Sequence, residues 1–220
     1  MAEGGIDVSG LMQELIKHKI VIIYRGYTAQ LCLEMSKALM DAGVRFFEVT
    51  MNTAEAVSAI RQLHERLGNE AHIGAGTVTS VQQVEEAAEA GARYIISPNT
   101  NQAVIRRTKE LGLLSIPGAF TASEVATAWE TGADIVKIFP INVVGAEYIR
   151  QLRGPLDHIP YMPSGGITLD QVEGLFQAGS TAVGVGAQLL GKALIDAKDW
   201  EGLRASAGRF LAAAGFKQEG

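Results

Sequence analysis

Seven times along this chain an amphipathic run ends at a glycine and a short apolar run follows. The glycines are Gly43, Gly68, Gly91, Gly112, Gly132, Gly154 and Gly179, spaced by 25, 23, 21, 20, 22 and 25 residues. Upstream of them, apolar positions recur at the helical period. Leu31, Met35, Ala38, Leu39 and Ala42 share one face, as do Val81, Val84, Ala87 and Ala88. Glycine just past a helix can take the left-handed conformation that closes the last carbonyls, so one is expected at each junction. Downstream, KIVIIY (19–24), RFFEVT (45–50), RYIIS (93–97), DIVKIF (134–139) and TAVGVG (181–186) are short and apolar, as in strands covered on both faces.

Strict alternation of this kind predicts parallel strands joined by crossover helices. With the opening run at 19–24 there are eight strands, each followed by a helix or helical turn, and a further helix is expected at about 8–18. The fold class is therefore α/β, a (β/α)8 TIM barrel with an extra N-terminal helix; a doubly wound open sheet is the alternative. No linker breaks the period, so residues 1–220 read as a single domain, with residues 1–6 expected to be flexible.

Composition narrows the function classes. The chain is 47% hydrophobic with net charge −5, and it has no basic run of the kind that binds nucleic acid or anchors to a membrane surface. No stretch approaches transmembrane length and the first ten residues lack a secretory pattern, so a cytoplasmic location is expected. One cysteine, Cys32, excludes an intrachain disulfide and a cysteine zinc site, and its setting in a helical pattern makes it a small buried hydrophobe. His18, His72 and His158 fall near strand starts and His64 on a helix, so no metal cluster is expected.

In such a barrel the chemistry lies where strands end and βα loops begin. The residues there include Arg25, Glu48, Thr77, Pro98, Lys137, Phe139 and Ser164. Lys137 is the anomaly, an amine in the middle of an apolar strand. Side chains alternate faces along a strand, so an inward Lys137 takes Ile135 and Phe139 inward with it and sends Val136 and Ile138 to the helices. The reverse orientation buries an ammonium between sheet and helices at several kcal/mol. Two readings of the inward lysine stand: an ion pair with Glu48, or a desolvated nucleophile that forms a Schiff base with a carbonyl. Burial and a cation such as Arg25 lower its pKa, whereas Glu48 raises it. Glu48 likewise reads as a satisfied core acid or as a proton shuttle beside the amine.

PSGGIT (163–168) and GVGAQL (184–189) follow strands 7 and 8 and precede helical runs. Backbone N–H groups converging at helix starts suit an anion, and these two loops are the usual phosphate position of the barrel. GAGTV (74–78) reads either as close strand packing or as a carboxylate contact through Thr77.

Taken together, YRG (24–26), AGVRFFEVTMNT (42–53), IGAGTV (73–78), ISPNT (96–100), IPG (116–118), VKIFP (136–140), PSGGI (163–167) and GVGAQL (184–189) resemble the class I 2-keto-3-deoxy-6-phosphogluconate / 4-hydroxy-2-oxoglutarate (KDPG/KHG) aldolases, in order over about residues 10–215. The resemblance implies that Lys137 is the Schiff-base lysine and Glu48 the general acid/base. It implies a pyruvate pocket with Thr77, Pro98 and Phe139, Arg25 near the substrate carboxylate, and phosphate held by Ser164, Gly165, Gly166, Gly186 and the backbone of Ala187. It also implies a homotrimer that needs no metal or other cofactor and takes 2-keto-3-deoxy (phospho) sugar acids and pyruvate as its small-molecule partners. Two positions depart from the family's pattern. Asn52 stands where many gluconate-type members have arginine, so Arg25 is the substitute carboxylate ligand, as in the galactonate-type branch. Ala187 stands where some members have serine, removing a donor to phosphate. The implied reaction is cleavage of 2-keto-3-deoxy-6-phosphogluconate to pyruvate and glyceraldehyde 3-phosphate, with 4-hydroxy-2-oxoglutarate as a further substrate. The alternatives are the galactonate epimer or, with Glu48 as base and Lys137 as an electrostatic stabiliser only, a phosphosugar isomerase or epimerase.

Overall fold

The computed structural model describes residues 7–217; the flexibility expected of residues 1–6 concerns a segment outside the described residues. Helix α1 spans Val8–His18, as the sequence pattern predicts, and is started by Asp7, whose carboxylate accepts from Gly10 N at 2.8 Å. Strands β1 (Ile20–Tyr24), β2 (Phe46–Thr50), β3 (His72–Gly76) and β4 (Tyr94–Ile96) alternate with α2 (Ala29–Asp41), α3 (Ala56–Leu67) and α4 (Val81–Glu89). Helix α5 (Gln102–Glu110) leads to β5 (Leu114–Ile116) and β6 (Gly118–Ala119). Then come α6 (Ala122–Glu130), β7 (Val136–Ile138), α7 (Gly145–Arg153), β8 (Tyr161–Pro163), α8 (Leu169–Gln177), β9 (Val183–Gly186), α9 (Ala187–Asp196) and α10 (Trp200–Ala213).

All strand pairings are parallel. A six-stranded half-barrel sheet runs in the order β5-β4-β3-β2-β1-β9, and a three-stranded sheet in the order β6-β7-β8. The fifth strand expected from sequence is present in two pieces. Pro117, which has no N–H to donate, separates β5 from β6, and the run changes neighbour there: β5 pairs with β4, while β6 pairs with β7. The Pro117 carbonyl already accepts from Lys137 N at 2.8 Å. On the other side a parallel bridge between Ser164 and Gly184 links the two sheets.

Five of the seven junction glycines have positive φ, from 69° at Gly112 to 110° at Gly132. Gly68 and Gly154 differ, with φ of −62° and −57°. At Gly68 the reason for glycine is space, because a Cβ would lie 2.5 Å from the His64 carbonyl oxygen.

Two apolar layers follow from strand alternation. Ile22, Phe47, Val136 and Ile138 join the larger core between sheets and helices. Val21, Phe46, Tyr94, Ile96, Leu114, Ile135 and Met162 form a second cluster with strand residues of both sheets, and Leu11 and Leu15 of α1 close it. Each such large side chain contributes about 1.5–3 kcal/mol on burial. Helix α1 therefore seals the strand starts and leaves the strand ends for chemistry. Among the described residues no helix is long and apolar enough to cross a membrane.

His72 lies at the sealed end, its ring 4.6 Å from that of Phe46 and its Nδ1 3.3 Å from Arg93 Nη1. Burial, reinforced by Arg93, lowers its pKa from 6.5 to about 4. The folded state thus holds a neutral imidazole that protonates more readily once unfolded. Its contribution is complete above about pH 6.5 and is lost as pH falls toward about 4. Urea unfolding between those pH values is expected to show stability falling with acid, with a shallower fall in His72→Gln.

Candidate active site

At the strand ends lies an open cavity of about 400 Å³. Lys137 of β7 lines it with only 6% of its surface exposed. Ile135 lies in the interior cluster below, and Phe139 lines the cavity above, its ring centroid 5.0 Å from Lys137 Nζ. Val136 and Ile138 pack toward the helices, so the alternation expected from sequence is the one observed.

Arg25, Thr77, Pro98 and Ser164 also line the cavity, as do Gly165, Gly166 and Gly186. Two sequence-predicted residues do not. Glu48 sits behind the wall, 1% exposed on β2, and Ala187 is fully buried at the start of α9. Gly184 of GVGAQL lines it too, and sequence reasoning missed Ile23, Gln188 and Leu189, which also reach the cavity. Gln188 stands in GVGAQL two residues past Gly186, where a polar side chain in the first helical turn was the available signal. Ile23 and Leu189 carry no polar group, so only their positions along strand and helix could have found them.

The wall is built around missing side chains. A Cβ on Gly76 would lie 1.6 Å from Glu48 Oε1, so the carboxylate of β2 occupies the place that β3 leaves open. A Cβ on Gly184 would lie 2.8 Å from Ser164 Oγ, and one on Gly118 would lie 2.5 Å from the Pro98 carbonyl. Beyond β8, Gly165 and Gly166 have φ of 104° and 69°, a conformation that lets the chain turn back over the cavity.

Arg25, just past β1, is held from two sides. Its Nη1 donates to Asn52 Oδ1 at 2.8 Å and its Nη2 to Thr77 Oγ1 at 3.2 Å. Asn52 therefore orients the cation that remains rather than merely lacking one. Thr77 has φ of 56°, which is unfavourable for a β-branched residue and is the kind of strain that collects at functional sites.

The electrostatics of Lys137 and Glu48 bears on the two readings of the lysine. Glu48 and Lys137 make no direct ion pair, and Glu48 Oε2 is buried without a hydrogen-bond partner. Burial is the largest influence on each. It lowers the Lys137 pKa, with Arg25 assisting and Glu48 opposing. It raises the Glu48 pKa against the pull of Lys137 and Arg25. Relative to the free groups, amine and carboxyl are each shifted toward the neutral form, the direction that suits an attacking amine and a carboxyl that exchanges protons. Among the described residues no group of three or more His, Cys, Asp or Glu is placed to share a metal ion.

A buried lysine on the cavity wall with its pKa lowered, and a buried carboxylate behind it, fit the class of enzymes that work through an amine nucleophile. The chain belongs to the KDPG and KHG aldolase family, whose model matches residues 11–206. It is 35% identical over 179 residues to the 2-dehydro-3-deoxy-6-phosphogalactonate aldolase of Escherichia coli (strain K12), covering 81% of this chain and 87% of that relative. It is 33% identical over 181 residues to the 2-dehydro-3-deoxy-phosphogluconate aldolase of Dickeya dadantii (strain 3937), covering 82% and 84%. The solved native KDPGal structure superposes with a TM-score of 0.82 at 33% identity, covering 88% of this chain and 93% of that one.

Gly76→Ala is expected to leave the chain folded but to displace Glu48, lowering aldolase turnover by about 100-fold, as for loss of a general acid/base. Steady-state rates measured beside a circular-dichroism melt check this.

Proposed function

We propose that the protein is a class I aldolase cleaving 2-keto-3-deoxy-6-phosphogluconate to pyruvate and glyceraldehyde 3-phosphate, and 4-hydroxy-2-oxoglutarate to pyruvate and glyoxylate. The observation that carries the reading is the burial of Lys137 on the cavity wall with its pKa lowered. Neutral Lys137 attacks the C2 ketone, water leaves, and the iminium accepts the electron pair of the breaking C3–C4 bond. Glu48, through a water, takes the C4 hydroxyl proton as the aldehyde departs. Reprotonation of the enamine at C3 and hydrolysis of the iminium release pyruvate. Arg25, steadied by Asn52 and Thr77, receives the substrate carboxylate, and Phe139 and Pro98 flank the pyruvyl group. Ser164, Gly165, Gly166, Gly186 and the backbone of Ala187 receive the phosphate.

The galactonate epimer is a second reading, favoured by the grip of Asn52 on Arg25 and by the 35% identity to the Escherichia coli galactonate-type relative. Steady-state rates on the two phosphorylated epimers and on 4-hydroxy-2-oxoglutarate rank the substrates.

The two parallel sheets, joined through Pro117 and the Ser164–Gly184 bridge, support one closed (β/α)8 barrel within the described residues 7–217, with α1 as an additional N-terminal helix. The family resemblance supports a homotrimer. Light scattering on the purified chain is expected to give three times the 23.4 kDa chain mass.

Borohydride reduction in the presence of pyruvate is expected to label Lys137, as read by peptide mass spectrometry, and Lys137→Arg is expected to abolish both label and turnover. An unlabelled Lys137, or a Lys137→Arg enzyme that keeps activity, moves the reading to an isomerase or epimerase with Glu48 as base.

A further inference from the structure

Among the described residues three buried side-chain polar atoms have no hydrogen-bond partner: Glu48 Oε2, the Tyr94 hydroxyl and Ser180 Oγ. Ser180 lies in the turn between α8 and β9, at the sealed end of the strands. The other two are neighbours. In the sheet Glu48 pairs with Gly74, and Gly74 pairs with Tyr94, so the three residues form one row across β2, β3 and β4. Tyr94 is wholly buried. Its ring lies over the empty side-chain position of Gly74, where a Cβ would be 2.2 Å from Cε2 and 2.4 Å from Cζ, the carbon that carries the hydroxyl. One pleat further along β3, the Glu48 carboxylate lies over Gly76 in the same manner. Two inward glycines of one strand thus seat a phenol and a carboxylate side by side.

An isolated buried hydroxyl is unfavourable, and phenylalanine would fill the same space without that penalty. An ionised carboxylate, in contrast, gains from a donor it can reach, directly or through an ordered water. We propose that Tyr94 is a positioning residue for Glu48: its hydroxyl, through one buried water, donates to Oε2 and steadies the ionised carboxylate during proton transfer. The Tyr94 pKa is raised well above its ordinary value, first by burial and then by the Glu48 charge, so the phenol keeps its proton and remains a donor. The other charges facing Glu48 are Lys137 from β7 and Arg25 beyond β1, and Tyr24 is the further titratable group that acts on Tyr94.

This inference rests on the aldolase reading and is tested on its proton-transfer half. With pyruvate bound as the Lys137 iminium, Glu48 removes a C3 proton. The C–H electron pair becomes the C2–C3 double bond of the enamine, and the iminium π pair moves to nitrogen. The reverse step in heavy water returns a deuteron, so proton NMR follows loss of the pyruvate methyl signal. Borohydride trapping of the same sample reports Lys137 alone. Tyr94→Phe is expected to trap pyruvate as the wild type does, to exchange about tenfold more slowly, and to shift the acid limb of the exchange profile to higher pH. In a Glu48→Gln background, Tyr94→Phe is expected to add nothing. Replacing Tyr94 by 3-fluorotyrosine, a stronger donor of nearly the same shape, is expected to shift the limb the other way, and serves if Tyr94→Phe does not fold. An unchanged exchange profile in these variants, or trapping lost in step with exchange, overturns the role of Tyr94. A wild-type chain that traps no pyruvate overturns the aldolase reading itself and this inference with it.

Discussion

A lysine and a glutamate are buried close enough to feel each other's charge, yet they make no ion pair, and the rest of the site depends on that separation. In direct contact the two would hold each other charged, and Lys137 would be a protonated structural residue. Set apart in an apolar interior, each is governed chiefly by desolvation, which favours the neutral amine and the neutral acid. Arg25 adds to this at the amine by disfavouring a second cation nearby. The same low-dielectric setting that makes Lys137 costly as a structural residue suits the nucleophilic role proposed for it.

The fold secures the separation by withholding side chains. Gly74 and Gly76 of β3 give the Tyr94 ring and the Glu48 carboxylate their places, and Gly184 gives one to Ser164. Helix α1 closes the opposite end with Leu11 and Leu15, so water reaches the interior from the cavity side. Between these limits Arg25 is fixed by Asn52 and by Thr77, whose backbone is left-handed just past β3.

Much of this was legible in the sequence, because it follows from periods. The glycine spacing placed the helix–strand junctions, and strand alternation placed Ile135, Lys137 and Phe139 on one face and Val136 and Ile138 on the other. Effects that require neighbours in space were not legible. Pro117 dividing one strand between two partners depends on where β4 and β7 lie. The grip of Asn52 on Arg25 spans 27 positions of chain. Gly68 looked like its fellow junction glycines, but close approach to the His64 carbonyl, not a left-handed turn, accounts for it. The opposing pulls on Lys137 could be named from residue types, but only burial on both sides of the strand decides their sign.

Titration of Lys137 itself reads that sign. Competitive labelling of lysine amines across pH, with the Lys137 peptide quantified by mass spectrometry, yields the pKa of this one group in the unliganded protein. A value below the ordinary 10.5 is expected, moving lower still when Glu48→Gln removes the opposing charge. A value at or above 10.5 would mean that Glu48 outweighs burial, and that Lys137 is held as an ion-pair partner rather than as a nucleophile.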